Sequence, residues 1–245
     1  MLLIDMGNSS IKWATLKQDQ ISPLQRIPYQ SDRLDNLLTQ AWLDMPSQGV
    51  WVSNVAGPQK AEILTHWMKN HWGLKPTFIK TSHYQCGVKN GYNNSKQLGV
   101  DRWLALIGAY HLEKGPLCVV DCGTAITLDI LSANGQHEGG LIMPGVTTMH
   151  NALLNDTYLL AQFNKSFKSR DEKPFLAHDT HTGITLGTLY AVIGLLEYVI
   201  NNLNSPKLIL TGGSVPALES LLQKPYRHIP DLVLQGLKTV VNQSL

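Results

Sequence analysis

One device occurs twice in this 245-residue chain and limits its fold more than any other feature. The segments LLIDMGNSSIKWATL, from Leu2, and CVVDCGTAITLDIL, from Cys118, share a pattern. Each is an apolar run, an aspartate, any residue, a glycine, a polar turn and a second apolar run. A run interrupted by a tight turn and resumed in extended form predicts a hairpin. Behind each copy, strand-like and helix-like stretches alternate. Two mixed α/β halves are therefore expected, residues 1–115 and 116–245, set around a central cleft whose mouth the two turns would share.

In the first half, residues 31–45 open on Ser31 and Asp32 and repeat apolar side chains at helical spacing, which predicts a capped amphipathic helix. Val50–Val55 reads as a buried strand, 60–71 as a helix and 76–80 as a strand. A polar loop over 82–99 precedes an apolar helix that opens at Asp101, and loops of this length tend to carry function. In the second half, 117–121, 126–131 and 139–143 read as strands and 146–161 as a helix. The stretch 162–182 reads as charged surface, 184–203 as a long apolar helix, 207–210 as a strand and 215–223 as a short helix. Residues 231–237 read as a final strand.

Composition excludes several classes of function. Twenty Lys and Arg against eighteen Asp and Glu give a formal net charge of +2, and the basic residues are scattered, so no nucleic-acid partner is expected. The start MLLIDMGNSS has no basic residue and reads as neither a signal peptide nor a membrane span, which makes a cytoplasmic protein the expectation. Cys86, Cys118 and Cys122 are too few and wrongly spaced for a disulfide framework or a structural zinc site. The histidine pairs His66 with His71 and His178 with His181 lack a third ligand, and the six tryptophans read as core and interface anchors.

The candidate chemistry lies in the two turns. In Asp5-Met6-Gly7-Asn8-Ser9-Ser10-Ile11-Lys12 the glycine lets backbone approach a ligand, Asn8, Ser9 and Ser10 offer hydrogen bonds to phosphate oxygens, and Lys12 adds positive charge. An acid here would repel phosphate unless it held a cation, so Asp5 suits a magnesium ion carried by ATP. Taken alone, the same residues also describe an ordinary hairpin turn. The second copy, Asp121-Cys122-Gly123-Thr124, strengthens the polyphosphate reading, with Asp121 as a cation site and Thr124 as a hydroxyl donor or a plain turn residue. Leu210-Thr211-Gly212-Gly213-Ser214 joins a strand to a helix, where backbone either meets a ligand or packs. Asp101 either caps the helix it opens or accepts a proton; Arg102 either grips a carboxylate or pairs with a surface acid; Tyr92 either touches a substrate or packs its loop.

In this order the three turn segments resemble the phosphate-1, phosphate-2 and adenosine motifs of the ASKHA superfamily, the actin-like ATPases and kinases. Gly99-Val100-Asp101-Arg102-Trp103, the run from Gly139 to Gly145 (GGLIMPG) and that from Asp179 to Gly187 (DTHTGITLG) narrow the resemblance to the type III pantothenate kinases, over essentially the whole chain. The resemblance implies two RNase H-like halves of the actin/hexokinase type, with mixed sheets around a central cleft. It implies transfer of the ATP γ-phosphate to the primary hydroxyl of pantothenate, the first step of coenzyme A synthesis. On it, Asp5, Met6, Gly7, Asn8, Ser9, Ser10, Ile11, Lys12 and Thr124 bind ATP, and Asp101 is the catalytic proton acceptor. Tyr92, Gly99, Val100, Asp101, Arg102 and Thr180 bind pantothenate, Asp121 binds a monovalent cation (K+ or NH4+), and magnesium accompanies ATP. A homodimer is also implied, for which the apolar helix around Trp103 to Tyr110 offers a contact surface. Two positions depart from the family pattern: Asn94 stands where Tyr-x-x-Pro has proline, and Gly183 where alanine is usual. Some relatives are described as transcription activators; the joint presence of Asp5, Asp101, Asp121 and Thr124 favours the enzyme. The phosphate turns themselves leave another hydroxy acid or a sugar open as the acceptor.

Overall fold

A computed structural model describes residues 1–29, 34–45, 47–156, 175–203 and 206–244. Its first elements are the strands β1 (Leu2–Met6), β2 (Ser10–Lys17), β3 (Gln20–Ile21) and β4 (Gln25–Pro28), then α1 (Leu34–Trp42), β5 (Val50–Asn54) and α2 (Pro58–Trp72). There follow β6 (Thr77–Phe78), β7 (Tyr84–Gln85), β8 (Val88–Lys89) and α3 (Val100–Leu112). The chain continues with β9 (Leu117–Cys122), β10 (Ala125–Leu131), β11 (His137–Pro144), α4 (Val146–Asp156) and α5 (Thr180–Asn201). It closes with β12 (Lys207–Thr211), α6 (Val215–Leu218), β13 (Tyr226–His228) and α7 (Leu232–Ser244). Two compact units result. One comprises Met1–Lys114, Leu131–Gly139 and Asp231–Leu245, the other Gly115–Ile130 and Gly140–Pro230.

The first unit is built on a sheet of order β3-β2-β1-β5-β6, with β4 also paired to β2. β1 runs antiparallel to β2 and parallel to β5, and all five of its residues are buried, as befits a central strand covered on both faces. Leu2, Ile4 and Met6 join Val50, Val52, Trp13, Trp42 and Trp67 in one core cluster. Trp42 meets Trp13 edge-on at 5.5 Å and Trp67 at 6.1 Å, so these tryptophans are core anchors. Alternation along the strand turns Leu3 and Asp5 to the opposite face. There α7 packs against β1 and β5, and α3 against β5. One face of the sheet thus carries both Asp5 and the helix that begins Val100-Asp101.

The second unit repeats the plan. Its sheet has the order β11-β10-β9-β12-β13, with β12 parallel to both β9 and β13. Cys118, Val120 and Cys122 of β9 are buried against Leu189, Val192, Ile193 and Leu196 of α5, which turns Asp121 to the other face. By length and composition α5 could cross a membrane, but this side of it is built into the core of the unit.

Two expectations need correction. Residues 231–237 do not form a strand; they begin α7. Leu232 and Leu234 alternate over that short window, while the longer one shows Val233, Leu237, Val240 and Val241 at helical spacing, all buried. This helix covers α3, so Trp103, Leu104, Leu106, Ile107 and Ala109 belong to the core rather than to a dimer surface. Two glycines let the helices touch: a Cβ at Gly236 would overlap the Leu104 carbonyl, and one at Gly108 would stand 2.6 Å from that of Leu232. The Ser31–Asp32 cap and residues 157–174, expected to complete a helix and then run over the surface, lie outside the described residues.

Candidate active site

The β1–β2 ladder sets the first turn. Asp5 is in register with Lys12 and Met6 with Ile11, and the Gly7 N–H donates to the Ser10 carbonyl at 3.1 Å. Asn8 and Ser9 are exposed at the tip, while Ser10 is buried and its hydroxyl accepts from Arg26 Nε at 3.1 Å. Lys12 Nζ stands 3.9 Å from Asp5 Oδ2, a long ion pair that partly offsets the buried carboxylate. The Tyr29 N–H donates to the Ser9 carbonyl at 2.9 Å, and Lys60 Nζ lies 4.6 Å over the Tyr29 ring. Burial, then the charge of Asp5, pushes the Tyr29 hydroxyl well above its ordinary range, so it remains a neutral donor. The exposed Asn8 and Ser9, with Lys12 behind them, are groups able to meet an anion, and the carboxylate at the strand end is an oxygen group able to meet a hard cation.

The loop over 82–99 is organised from within by Asn90. This buried side chain donates through Nδ2 to the Ser82 and Ser95 carbonyls at 3.2 and 3.3 Å, and its Oδ1 accepts the Tyr92 N–H at 2.9 Å. Asn94 accepts the Lys96 N–H at 3.1 Å and caps a single 3-10 turn, Ser95–Gln97. The cap position of α3 is Gly99, so Asp101 lies inside the first turn, where its Oδ1 accepts the Arg102 N–H at 2.8 Å. A Cβ at residue 99 would stand 2.6 Å from that oxygen, so the glycine makes room for the carboxylate. Arg102 is buried rather than on the surface; its Nη1 donates to the Tyr92 hydroxyl at 2.9 Å, and its guanidinium stands 5.6 Å from the centre of that ring. Tyr92, Gly99, Val100, Asp101 and Arg102 therefore form one cluster.

The second turn is walled by backbone. Asp121 is in register with Thr211 of β12, and the Gly123 N–H donates to the Ala125 carbonyl at 3.1 Å. The Gly145 N–H and the Thr148 hydroxyl both donate to the Thr124 carbonyl, at 2.9 and 2.7 Å, while Thr124 itself is exposed. Gly212 has φ +96°, and a Cβ on it would lie 2.5 Å from Asp121 Oδ1. Gly212 thus packs directly on the acid, while Gly213 is exposed. Burial, helped by the charge of Asp121, pushes the Cys122 thiol up to about 12, which keeps it protonated and inert.

Thr180 belongs to the second unit. It is exposed at the start of α5, behind Asp179, whose carboxylate accepts from the Thr182 N–H at 2.9 Å and from the Thr182 hydroxyl at 2.7 Å. Sequence reasoning passed over Asn90 and His137. His137 is fully buried and stacks on Tyr92 with ring centroids 5.7 Å apart. A polar residue set among glycines in Gly135-Gln136-His137-Glu138-Gly139 was the only local signal for it.

Comparison with known proteins adds to this geometry. The family model described as type III pantothenate kinase matches residues 1–202. A type III pantothenate kinase from Nitrosococcus oceani is 36% identical over 255 aligned residues, spanning 100% of this chain and 94% of that protein. Among solved structures, a Campylobacter jejuni protein assigned to the Baf family of transcriptional activators aligns with a TM-score of 0.61 at 22% identity, over 100% of this chain and 98% of that one. A Sinorhizobium meliloti protein assigned as a 2-dehydro-3-deoxygalactonokinase aligns with a TM-score of 0.61 at 12% identity, over 100% and 96%. At such identities the structural similarities speak for the fold alone, which is the mixed α/β architecture of the actin- and hexokinase-like kinases.

Proposed function

Since the chain belongs to the type III pantothenate kinase family, we propose that it phosphorylates pantothenate to 4'-phosphopantothenate with ATP, using Asp101 as general base. The anchored carboxylate at the start of α3 is the observation that carries this reading. Its Oδ1 is tied to the Arg102 amide at 2.8 Å, Gly99 keeps the adjoining space clear, and the neighbouring guanidinium is oriented by the Tyr92 hydroxyl. A primary alcohol is a poor nucleophile. Asp101 orients it and accepts its proton as the oxygen bonds to the γ-phosphorus; the bond from that phosphorus to the β,γ-bridging oxygen breaks, and ADP leaves. Arg102 pairs with the pantothenate carboxylate. Tyr92, Gly99, Val100 and Thr180 complete the acceptor site. The ATP phosphates take their hydrogen bonds from the turn Asp5 to Lys12, and Thr124 contacts the nucleotide.

One carboxylate in each turn supports the assignment of an ion to each. Asp5 is an oxygen ligand beside a phosphate-binding tip, the kind magnesium takes together with phosphate oxygens. Bound with ATP, magnesium neutralises charge on the phosphates. Asp121 likewise presents oxygen, and aligning the two turns puts the uncharged Thr127 where the first has Lys12. We assign the monovalent cation, K+ or NH4+, to Asp121, where it offsets the repulsion between carboxylate and phosphate.

With α3 covered, a surface that could meet a second copy is on α5, where Gly183, Gly187, Ala191, Gly194 and Tyr198 are exposed along one line. Sedimentation equilibrium should return twice the 27.2 kDa chain mass, and a monomer would remove the dimer from this reading. The three free cysteines suit a reducing cytoplasm. The acceptor is tested by coupled ADP release with pantothenate against a panel of small hydroxy acids and sugars, with and without K+. Release that depends on pantothenate and rises with K+ is expected; release without pantothenate, or faster with another acceptor, would overturn the assignment.

A further inference from the structure

The acceptor reading uses Tyr92 and Arg102 and leaves the histidine behind them without a task. His137, the first residue of β11, is 0% exposed. Its ring lies against that of Tyr92, 5.7 Å between centroids and 18° from parallel. Gly91 closes over it: a Cβ there would overlap the His137 carbonyl oxygen, and the Gly91 N–H points at Nδ1 from 3.4 Å. Tyr92 in turn accepts Arg102 Nη1 at 2.9 Å, and the Arg102 N–H is held by Asp101 Oδ1 at 2.8 Å. One chain of contacts therefore runs from His137 through Tyr92 and Arg102 to Asp101.

Asn90 Oδ1 holds the Tyr92 N–H and Arg102 Nη1 its hydroxyl, and His137 is the flat ring stacked beside it. Gly91, Asn93 and Asn94 are exposed and Tyr92 is half-buried, so losing that stacked ring would return rotamer freedom to the side chain. A flat ring on a buried strand residue removes that freedom from one side, and the Gly91 approach fixes the backbone on the other.

We infer that His137 is a positioning residue of the acceptor site. By stacking on Tyr92 it fixes the hydroxyl that orients the Arg102 guanidinium, and so sets the affinity for an acceptor that carries a carboxylate. It touches no substrate itself. The inference rests on the reading that Tyr92 and Arg102 bind pantothenate.

Steady-state kinetics of the intact enzyme test it. His137→Leu should raise KM for pantothenate about 3- to 10-fold, the scale of one aromatic pair, with KM for ATP and kcat unchanged. His137→Phe, which keeps a flat ring, should stay within about twofold of the parent. Tyr92→Ala should raise KM for pantothenate by itself, and adding His137→Leu to it should raise it no further, because the histidine acts through that ring. Additive effects in the double variant, or a parental KM for pantothenate in folded His137→Leu, would overturn the inference. If His137→Leu does not fold, His137→Gln replaces it with the same expectation; failure of both to fold makes the residue structural and also overturns it. An unmoved KM in Tyr92→Ala removes the acceptor reading and the inference with it. A raised KM there beside a normal His137→Leu removes the inference alone.

Discussion

The two aspartate turns hold equivalent places in their sheets and differ in how their charge is met. Asp5 of β1 lies beside Ser53 of parallel β5, as Asp121 of β9 lies beside Thr211 of parallel β12. The equivalence runs on: the Val55 N–H donates to the Met6 carbonyl and the Ser214 N–H to the Cys122 carbonyl, both at 3.0 Å. A glycine with left-handed φ, Gly57 at +92° and Gly212 at +96°, then leads each parallel strand into a helix with proline in its first turn. Beyond this the copies part. The first turn is one residue longer, closing at Ser10 where the second closes at Ala125, and it offers Asn8, Ser9 and Ser10. It also carries Lys12, 3.9 Å from its acid, at the position where the second has Thr127. Gly212 packs on Asp121, whereas a Cβ on Gly57 would meet nothing within 4 Å. One scaffold thus supplies a polar tip with a built-in cation in one copy, and in the other an acid walled by backbone.

If that difference is functional, the two acids should fail differently. Asp5→Ala should abolish phosphoryl transfer, whereas Asp121→Ala should keep measurable transfer and flatten its K+ titration. Thr127→Lys, which gives the second turn the first one's cation, should lower the K+ requirement. Matched losses with the same cation response in Asp5→Ala and Asp121→Ala would erase the distinction.

A smaller effect separates the glycines. Gly212→Ala forces a Cβ against Asp121 at positive φ and should cost about 1–3 kcal/mol in denaturant unfolding. Gly7→Ala meets only the Ser10 carbonyl, at 3.4 Å, and should cost less than about 1 kcal/mol. Equal losses at both would show that the second turn is no more tightly walled than the first.

What the sequence made legible were features contained in one stretch of chain. The Leu2–Met6 and Ser10–Lys17 hairpin and the core helix Thr180–Asn201 each announce themselves by local period. The Asp-x-Gly repeat was visible too, but its extension to Ser53 and Thr211 was not, because parallel partners arrive from distant segments. The segment at 231–237 was misread because a seven-residue window satisfied both periods, and with α7 missing there was nothing to cover α3. Of the candidate site, Asp101 and Arg102 came from their resemblance to a family pattern. The stack of His137 on Tyr92 depends on tertiary contact and left almost no trace in the sequence.

The most direct test is Asp101→Asn, a substitution that keeps the shape and an oxygen able to accept the Arg102 N–H while removing the proton acceptor. Turnover with pantothenate should fall by about 10² to 10⁴, the usual scale for losing a general base, while ATP affinity measured by titration calorimetry stays at the parental value. Turnover close to that of the parent enzyme would contradict the role of Asp101.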